Sequence, residues 1–285
     1  MKKYITLAAL LAAGTACANA VEINLLYGMD FNSGSDASYT NVATNPGSGS
    51  VVSQGSGYHN WVEGMDGTKA SDVRGSSYYY EITSATDSST GLGVNTKDGF
   101  TLSFNTYFAS NDDWTSFLAF NIGGQDLVFQ WGKKVSDTTK TSINVYTGGS
   151  DEALQGQQVG ADDSRLYVDG LGASWYNVAL VAKDDYLTLC VFDSSATLVG
   201  TTTLESRFTG SLNSVAGYTS YKFAKSYIDN LAIYDGALTE DQLAIVTKYE
   251  MENKTVMQSV PEPSAFGMLA GLGALALVAS RRRRK

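Results

Sequence analysis

Phe100-Thr101-Leu102-Ser103-Phe104-Asn105-Thr106-Tyr107-Phe108 is the stretch on which the fold turns. Phe100, Leu102, Phe104 and Phe108 fall on one face, and Thr101, Ser103, Asn105 and Tyr107 on the other. That alternation predicts a half-buried antiparallel strand. Working outward, the same reading gives strands near 23–31, 78–83, 114–122, 126–131, 142–147, 174–182, 186–193, 197–204 and 221–234. Lys183-Asp184-Asp185 has the chemistry of a tight hairpin link between two of them. Gly, Ser, Thr and Tyr are abundant and Pro is almost absent before the tail, as in an all-β chain with frequent turns. Strands at this spacing predict a two-sheet antiparallel jelly-roll sandwich rather than a parallel α/β sheet.

One helix is expected, short and near the C-terminal end. Thr239 with Gln242 three residues on reads as a capping box, and Glu240 and Asp241 oppose the dipole in the first turn. Leu243, Val246 and Tyr249 are spaced as a packing stripe. The Gly/Ser/Asn-rich stretch 32–57 reads as a long surface loop, and the polar residues 251–260 as a tether. The expected organisation is therefore 1–20 export signal, 21–250 sandwich, 251–260 linker and 261–285 tail.

Both ends carry addresses. Lys2 and Lys3 precede an Ala/Leu-rich run from Tyr4 to Ala16, and Ala18-Asn19-Ala20 is an A-x-A cleavage site, so the mature chain is expected to begin at Val21. Cys17 leaves lipidation as an alternative, although Gly14 stands where that signal wants a leucine-like residue. At the other end, Val260-Pro261-Glu262-Pro263-Ser264 is followed by an uncharged run from Ala265 to Ser280 and then Arg281-Arg282-Arg283-Arg284-Lys285. As a helix that run spans about 24 Å, short of a hydrocarbon core of roughly 30 Å, and snorkelling arginines cover part of the deficit. Clustered cations stay cytoplasmic, which places the preceding residues outside the inner membrane. Motif, helix and basic stop, in this order, resemble the PEP-CTERM sorting signal; a plain C-terminal anchor is the alternative. The resemblance implies an exosortase, a membrane-embedded transpeptidase, as partner, a transient inner-membrane intermediate, and delivery to the envelope, surface or exopolysaccharide.

Between residues 20 and 261 the chain holds 13 Lys and Arg against 28 Asp and Glu, a net charge of −15. So acidic a domain is a poor partner for nucleic acid or anionic lipid. With the signal removed, Cys190 is the sole cysteine, which excludes an intramolecular disulfide; its strand-like setting reads as a buried, inert thiol.

Tyr227-Ile228-Asp229-Asn230-Leu231-Ala232-Ile233-Tyr234-Asp235-Gly236-Ala237-Leu238-Thr239 resembles the closing segment of laminin-G-like domains in the concanavalin A-like lectin/glucanase superfamily. Ser174-Trp175-Tyr176-Asn177-Val178-Ala179-Leu180, Phe100-Thr101-Leu102-Ser103-Phe104 and Leu25-Leu26-Tyr27-Gly28-Met29-Asp30-Phe31 fit three of its other strands, in the same order. The resemblance implies a jelly roll whose first and last strands pair. It does not transfer a function, because this sandwich carries lectins, glycosidases, adhesins and spacers alike.

Retaining glucanases of this fold need two carboxylates about 5 Å apart, delivered from one strand as Glu-x-Asp-x-x-Glu or a near variant. No such string occurs. His59 is the sole histidine, with no nucleophile motif beside it, which also excludes a His-rich zinc site. A calcium ion is the candidate cofactor, with Asp112, Asp113, Asp162 and Asp163 as candidate oxygen donors; solvated turn carboxylates are the alternative. A sugar needs an aromatic platform beside hydrogen-bonding groups, and Trp114, Trp131 and Tyr79 are the candidates. The resulting expectation is an exported, non-catalytic envelope or exopolysaccharide protein that binds a glycan or adheres. A matrix protein without a discrete ligand and a divergent glycoside hydrolase remain the rivals.

Overall fold

The computed structural model describes residues 22–32, 40–47, 50–54, 60–64, 68–72, 79–83, 91–108, 115–132, 140–148, 166–205, 208–217 and 226–260. The chain divides into two compact units. One, Asn24–Gln258, is the sandwich; the other comprises Met1–Ile23 and Ser259–Lys285, in which Ser259–Val260 are extended. The export signal, the Pro-Glu-Pro residues, the apolar run and the basic stop lie outside the described residues. Among the described residues, no helix is long and apolar enough to cross a membrane.

In chain order the sandwich is built from β1 (Ile23–Met29), β2 (Ser50–Gln54), β3 (Asn60–Glu63), β4 (Lys69–Asp72), β5 (Tyr79–Thr83) and β6 (Phe100–Phe108). Then follow β7 (Thr115–Ile122), β8 (Gln125–Gly132), β9 (Thr141–Gly148), β10 (Tyr167–Leu171), β11 (Trp175–Lys183) and β12 (Tyr186–Asp193). The last are β13 (Leu198–Glu205), β14 (Leu212–Gly217), β15 (Ser226–Tyr234) and helix α1 (Glu240–Asn253). The first sheet runs β13-β12-β11-β6-β15-β1, with β4 also beside β15 and β3 beside β4. The second runs β10-β9-β8-β7-β14-β5-β2. Neighbouring strands are antiparallel, and β1 pairs with β15, as the resemblance implies. Asp184, at φ 53°, turns β11 into β12 over two residues, so that Lys183 faces Tyr186.

The core is aromatic. Phe104 of β6 meets Phe129 of β8 edge-on at 4.9 Å and Phe117 of β7 at 5.9 Å, so one ring ties the two sheets together. Phe100, Leu102, Val178, Leu180 and Ile233 line the same inner face. The turn between β7 and β8 needs Gly123, at φ 59°: its N–H donates to Ser211 (2.9 Å), and a Cβ there would run into the Thr209 carbonyl.

Several sequence expectations change. The outer face of β6 is not solvated: Thr101, Ser103 and Asn105 are fully buried. The buried side of α1 is Gln242, Leu243, Val246, Thr247 and Glu250, while Tyr249 lies at its margin. The capping box is present, with Gln242 N donating to Thr239 Oγ1 (3.3 Å) and Thr239 N to Gln242 Oε1 (2.9 Å). Thr101 Oγ1 donates to Gly236 O (2.8 Å) and accepts from Leu238 N (2.9 Å), which latches the turn before α1 to β6.

The stretch expected as a tether is folded as far as Gln258. Helix α1 runs through Asn253, Lys254 caps it at φ 60°, and Val256 is buried. Leu25 N donates to Gln258 O (2.8 Å) and Asn32 Nδ2 to Lys254 O (2.5 Å), so this segment follows the first strand. Gln258 Nε2 donates to Val42 O (3.2 Å) and its Oε1 accepts from Thr44 N (2.8 Å), while Thr255 Oγ1 donates to Asp30 Oδ2 (3.4 Å). The expected loop at 32–57 likewise contains β2, and Asn41 clips to β1 by accepting from Gly28 N (2.9 Å) and donating to Leu26 O (3.0 Å).

Candidate functional site

Trp131, expected as a ligand contact, is in the core, stacked on Phe117 at 5.9 Å. Its strand alternates, and the indole falls on the inner face with Phe129 and Leu127. It cannot reach a glycan. Tyr79 opens β5 opposite Gln54. Trp114, Asp112, Asp113, Asp162 and Asp163 lie outside the described residues. Among the described residues no three His, Cys, Asp or Glu come together to hold a metal ion.

The aromatic group that the sheet does assemble is a different one. Tyr107, near the end of β6, stands in register with Trp175 of β11 on one side and Tyr227 of β15 on the other. The ring centroids are 5.6 Å (Tyr107–Trp175), 5.7 Å (Tyr107–Tyr227) and 6.5 Å (Trp175–Tyr227), a closed triangle. Tyr107 and Tyr227 are nearly parallel at 10°, and Trp175 tilts across both at 51° and 43°. All three rings are half-buried. They point away from the core because their neighbours Tyr176, Thr106 and Ile228 point into the sandwich. Tyr176 is held there by its hydroxyl, which donates to Gly172 O (3.1 Å) and accepts from Gly172 N (3.0 Å). Burial raises the Tyr176 phenol above its ordinary range.

Two residues further along the same three strands comes a polar row, Asn177, Asn105 and Asp229, all buried. Asn177 Nδ2 donates to Asn105 Oδ1 (2.9 Å), Ser103 Oγ (3.2 Å) and Glu250 Oε2 of α1 (3.2 Å). Asp229 accepts from Thr68 Oγ1 (3.4 Å) and from Asn230 N (2.9 Å), where β15 bulges and Asn230 takes φ 48°. At this bulge β15 changes neighbours, from β4 at Tyr227–Ile228 to β1 at Leu231–Tyr234. The outer face thus has a sealed polar part under α1 and an aromatic part beside it.

Sequence reading had the signals for the triad but not its assembly. Alternation set Tyr107 on the non-core face, and Trp175 and Tyr176 on opposite faces. What it lacked was strand order, which brings β11, β6 and β15 side by side.

Cys190 is buried, its sulfur 3.4 Å from Thr201 Oγ1, and burial pushes its thiol up. The native protein is therefore expected to resist a thiol reagent such as DTNB, reacting at the rate of an exposed thiol only after denaturation. Rapid stoichiometric labelling of folded protein would contradict the buried setting.

A search of curated proteins finds no match. Among solved structures, the chain is similar to the binding domain of Paraclostridial Mosquitocidal Protein 1 (11% identity, 79% of this chain and 52% of that one, TM-score 0.51). It is also similar to domain 4 of AbnA, a GH43 extracellular arabinanase from Geobacillus stearothermophilus, in complex with arabinotriose (17%, 79% and 98%, TM-score 0.49). The botulinum neurotoxin serotype D binding domain follows (11%, 79% and 51%, TM-score 0.48). The chain spans about half the length of the two toxin domains. At these identities the likeness is one of β-sandwich fold. Residues 259–284 match the PEP-CTERM protein-sorting motif, and by that signal this is an exported protein with a C-terminal membrane-anchored segment, recognised by an exosortase-type sorting enzyme.

Proposed function

We propose that the exported sandwich is a non-catalytic glycan-binding module of the cell envelope or its exopolysaccharide, and that it holds sugar on the Trp175–Tyr107–Tyr227 triad. The observation that carries this reading is the triangle of half-buried rings, with centroids 5.6–6.5 Å apart, on the outer face of the first sheet. A pyranose has an apolar C–H face and a rim of hydroxyls. Contiguous rings supply the surface for that face, and two tyrosine hydroxyls supply donors and acceptors for the rim. The rings sit on neighbouring strands rather than on loops, so their spacing is set before ligand arrives and little ordering cost is added on binding. A strongly acidic, exported domain suits an uncharged polymer better than it suits nucleic acid.

The test is a glycan array and polysaccharide titration of the purified exported protein, with and without EDTA. Specific binding is expected, and Trp175→Ala should weaken it roughly 30-fold, as for a central aromatic contact. Tyr227→Ala is expected to weaken it to a lesser degree, while exposed Val199→Ala leaves it unchanged. Silence across a broad array would sink the reading and favour a matrix protein without a discrete ligand. Release of reducing sugar from an envelope polysaccharide would overturn its non-catalytic part.

A further inference from the structure

The shape of the triad limits what it can hold, granted the glycan-binding reading above, on which this inference rests. Trp175 and Tyr227 stand on strands that are not neighbours, since β6 with Tyr107 runs between β11 and β15. Backbones two strands apart in a sheet lie about 10 Å from one another. The centroids of these two rings are 6.5 Å apart, so the outer rings lean toward each other. The group is closed rather than drawn out in a row. Its planes differ too: Trp175 is tilted at 51° to Tyr107 and 43° to Tyr227, while the two tyrosines lie within 10° of parallel. A run of sugars stacked face-down needs rings that are spaced along the chain and share a plane. This triad offers one corner of ring size in place of a floor.

The outer face is also roofed directly beside the triad. Two residues further along the same strands, about 7 Å away, the side chains return to the same face of the sheet. There Asn177 and Asn105 are fully buried and Asp229 is 2% exposed, whereas the three rings are half-buried. The roof over Asn177 is α1, whose Glu250 Oε2 accepts from Asn177 Nδ2 (3.2 Å). A step therefore rises on the α1 side, and a polymer laid over the rings along the strands would run into it. The backbone beside Trp175 is pinned as well, because the Tyr176 hydroxyl exchanges two hydrogen bonds with Gly172 in the turn before β11.

We propose that the triad takes a single neutral sugar, the terminal non-reducing residue of a chain or branch, and not an internal stretch of polymer. A chain end brings one apolar C–H face and a rim of free hydroxyls, and only its glycosidic link has to leave the corner. The rest of the glycan departs on the side away from α1. The strongly acidic domain repels carboxylated and sulfated sugars, which restricts the residue to a neutral one.

The test is saturation-transfer NMR and calorimetric titration of the purified exported protein. The probes are methyl glycosides of common neutral sugars, then the matching oligosaccharide ladder up to the hexasaccharide. Saturation should concentrate on the protons of the terminal sugar, and affinity per chain should change less than roughly threefold along the ladder. Masking the terminal hydroxyls as methyl ethers should weaken binding roughly tenfold or more. Trp175→Ala should weaken the methyl glycoside and the hexasaccharide by the same factor, because both use one set of contacts. Tyr227→Ala carries that comparison if Trp175→Ala fails to fold. Affinity that climbs with each added sugar, saturation spread along the chain, or undiminished binding of an end-masked hexasaccharide would overturn the proposal and leave the glycan-binding reading standing. A preference for uronic acids would overturn the restriction to neutral sugars. Absence of binding by every probe and on the array would remove both the proposal and the reading beneath it.

Discussion

Phe104→Ala is expected to cost about 3–5 kcal/mol of stability, the usual range for deleting a buried aromatic ring. Phe104 is fully buried on the central strand β6 and is the ring that meets both Phe117 and Phe129 of the opposite sheet. Alanine leaves a cavity between two sheets whose spacing is fixed by every other pair, so the gap cannot collapse and both transfer and dispersion terms are lost. Against a typical total of 5–15 kcal/mol this is a large share, and Tm should fall by about 10 °C or more. Val199→Ala, on the exposed side of β13, should stay within about 0.5 kcal/mol. Urea melts of the two variants check this; similar midpoints would mean that Phe104 does not bridge the sheets.

The second large effect concerns sorting rather than folding. Replacing Pro261, Glu262 and Pro263 together by Ala should abolish recognition by the exosortase-type enzyme, an all-or-none change. The two prolines restrict φ to near −65° and carry no N–H donor, features that alanine does not reproduce. Mass spectrometry of the C-terminus, in cells that carry the enzyme, should recover Lys285 from the variant and a terminus near the motif from wild type. The melting curve should be unchanged, because residues 24–258 form a unit with a core of their own. Normal processing of the variant would show that the motif is not what the enzyme reads.

The strands found by sequence reading share a property that the missed ones lack. Phe100–Phe108, Trp175–Lys183 and Tyr186–Asp193 carry apolar side chains at alternate positions, and each contributes several of them to the core. The missed strands are Ser50–Gln54, Asn60–Glu63, Lys69–Asp72, Tyr167–Leu171 and Leu212–Gly217. They are short and rich in Ser, Asp, Asn and Gly. What makes them strands is a partner's hydrogen-bonding edge, a non-local property that intrinsic propensity does not encode. The same cause explains the tether that is not one: only Val256 and Met257 are apolar between Asn253 and Gln258, and the place beside Gly28 where Val256 is buried exists only after the first strand is in place.

By itself, the sequence determined the C-terminal sorting motif, the all-β class, the capping box of α1 and which side of each strong strand is apolar. These rest on local physics: charge next to an apolar run, a period of two, and a side chain reaching a backbone N–H three residues away. Only the tertiary structure decided that Trp131 is core, that Trp175, Tyr107 and Tyr227 meet, and that Glu250 closes over Asn177. Strands far apart in the chain become neighbours through sheet order, and a helix settles on one face through packing. Such juxtapositions are set by the global minimum of buried area and satisfied hydrogen bonds, to which no single segment holds the key.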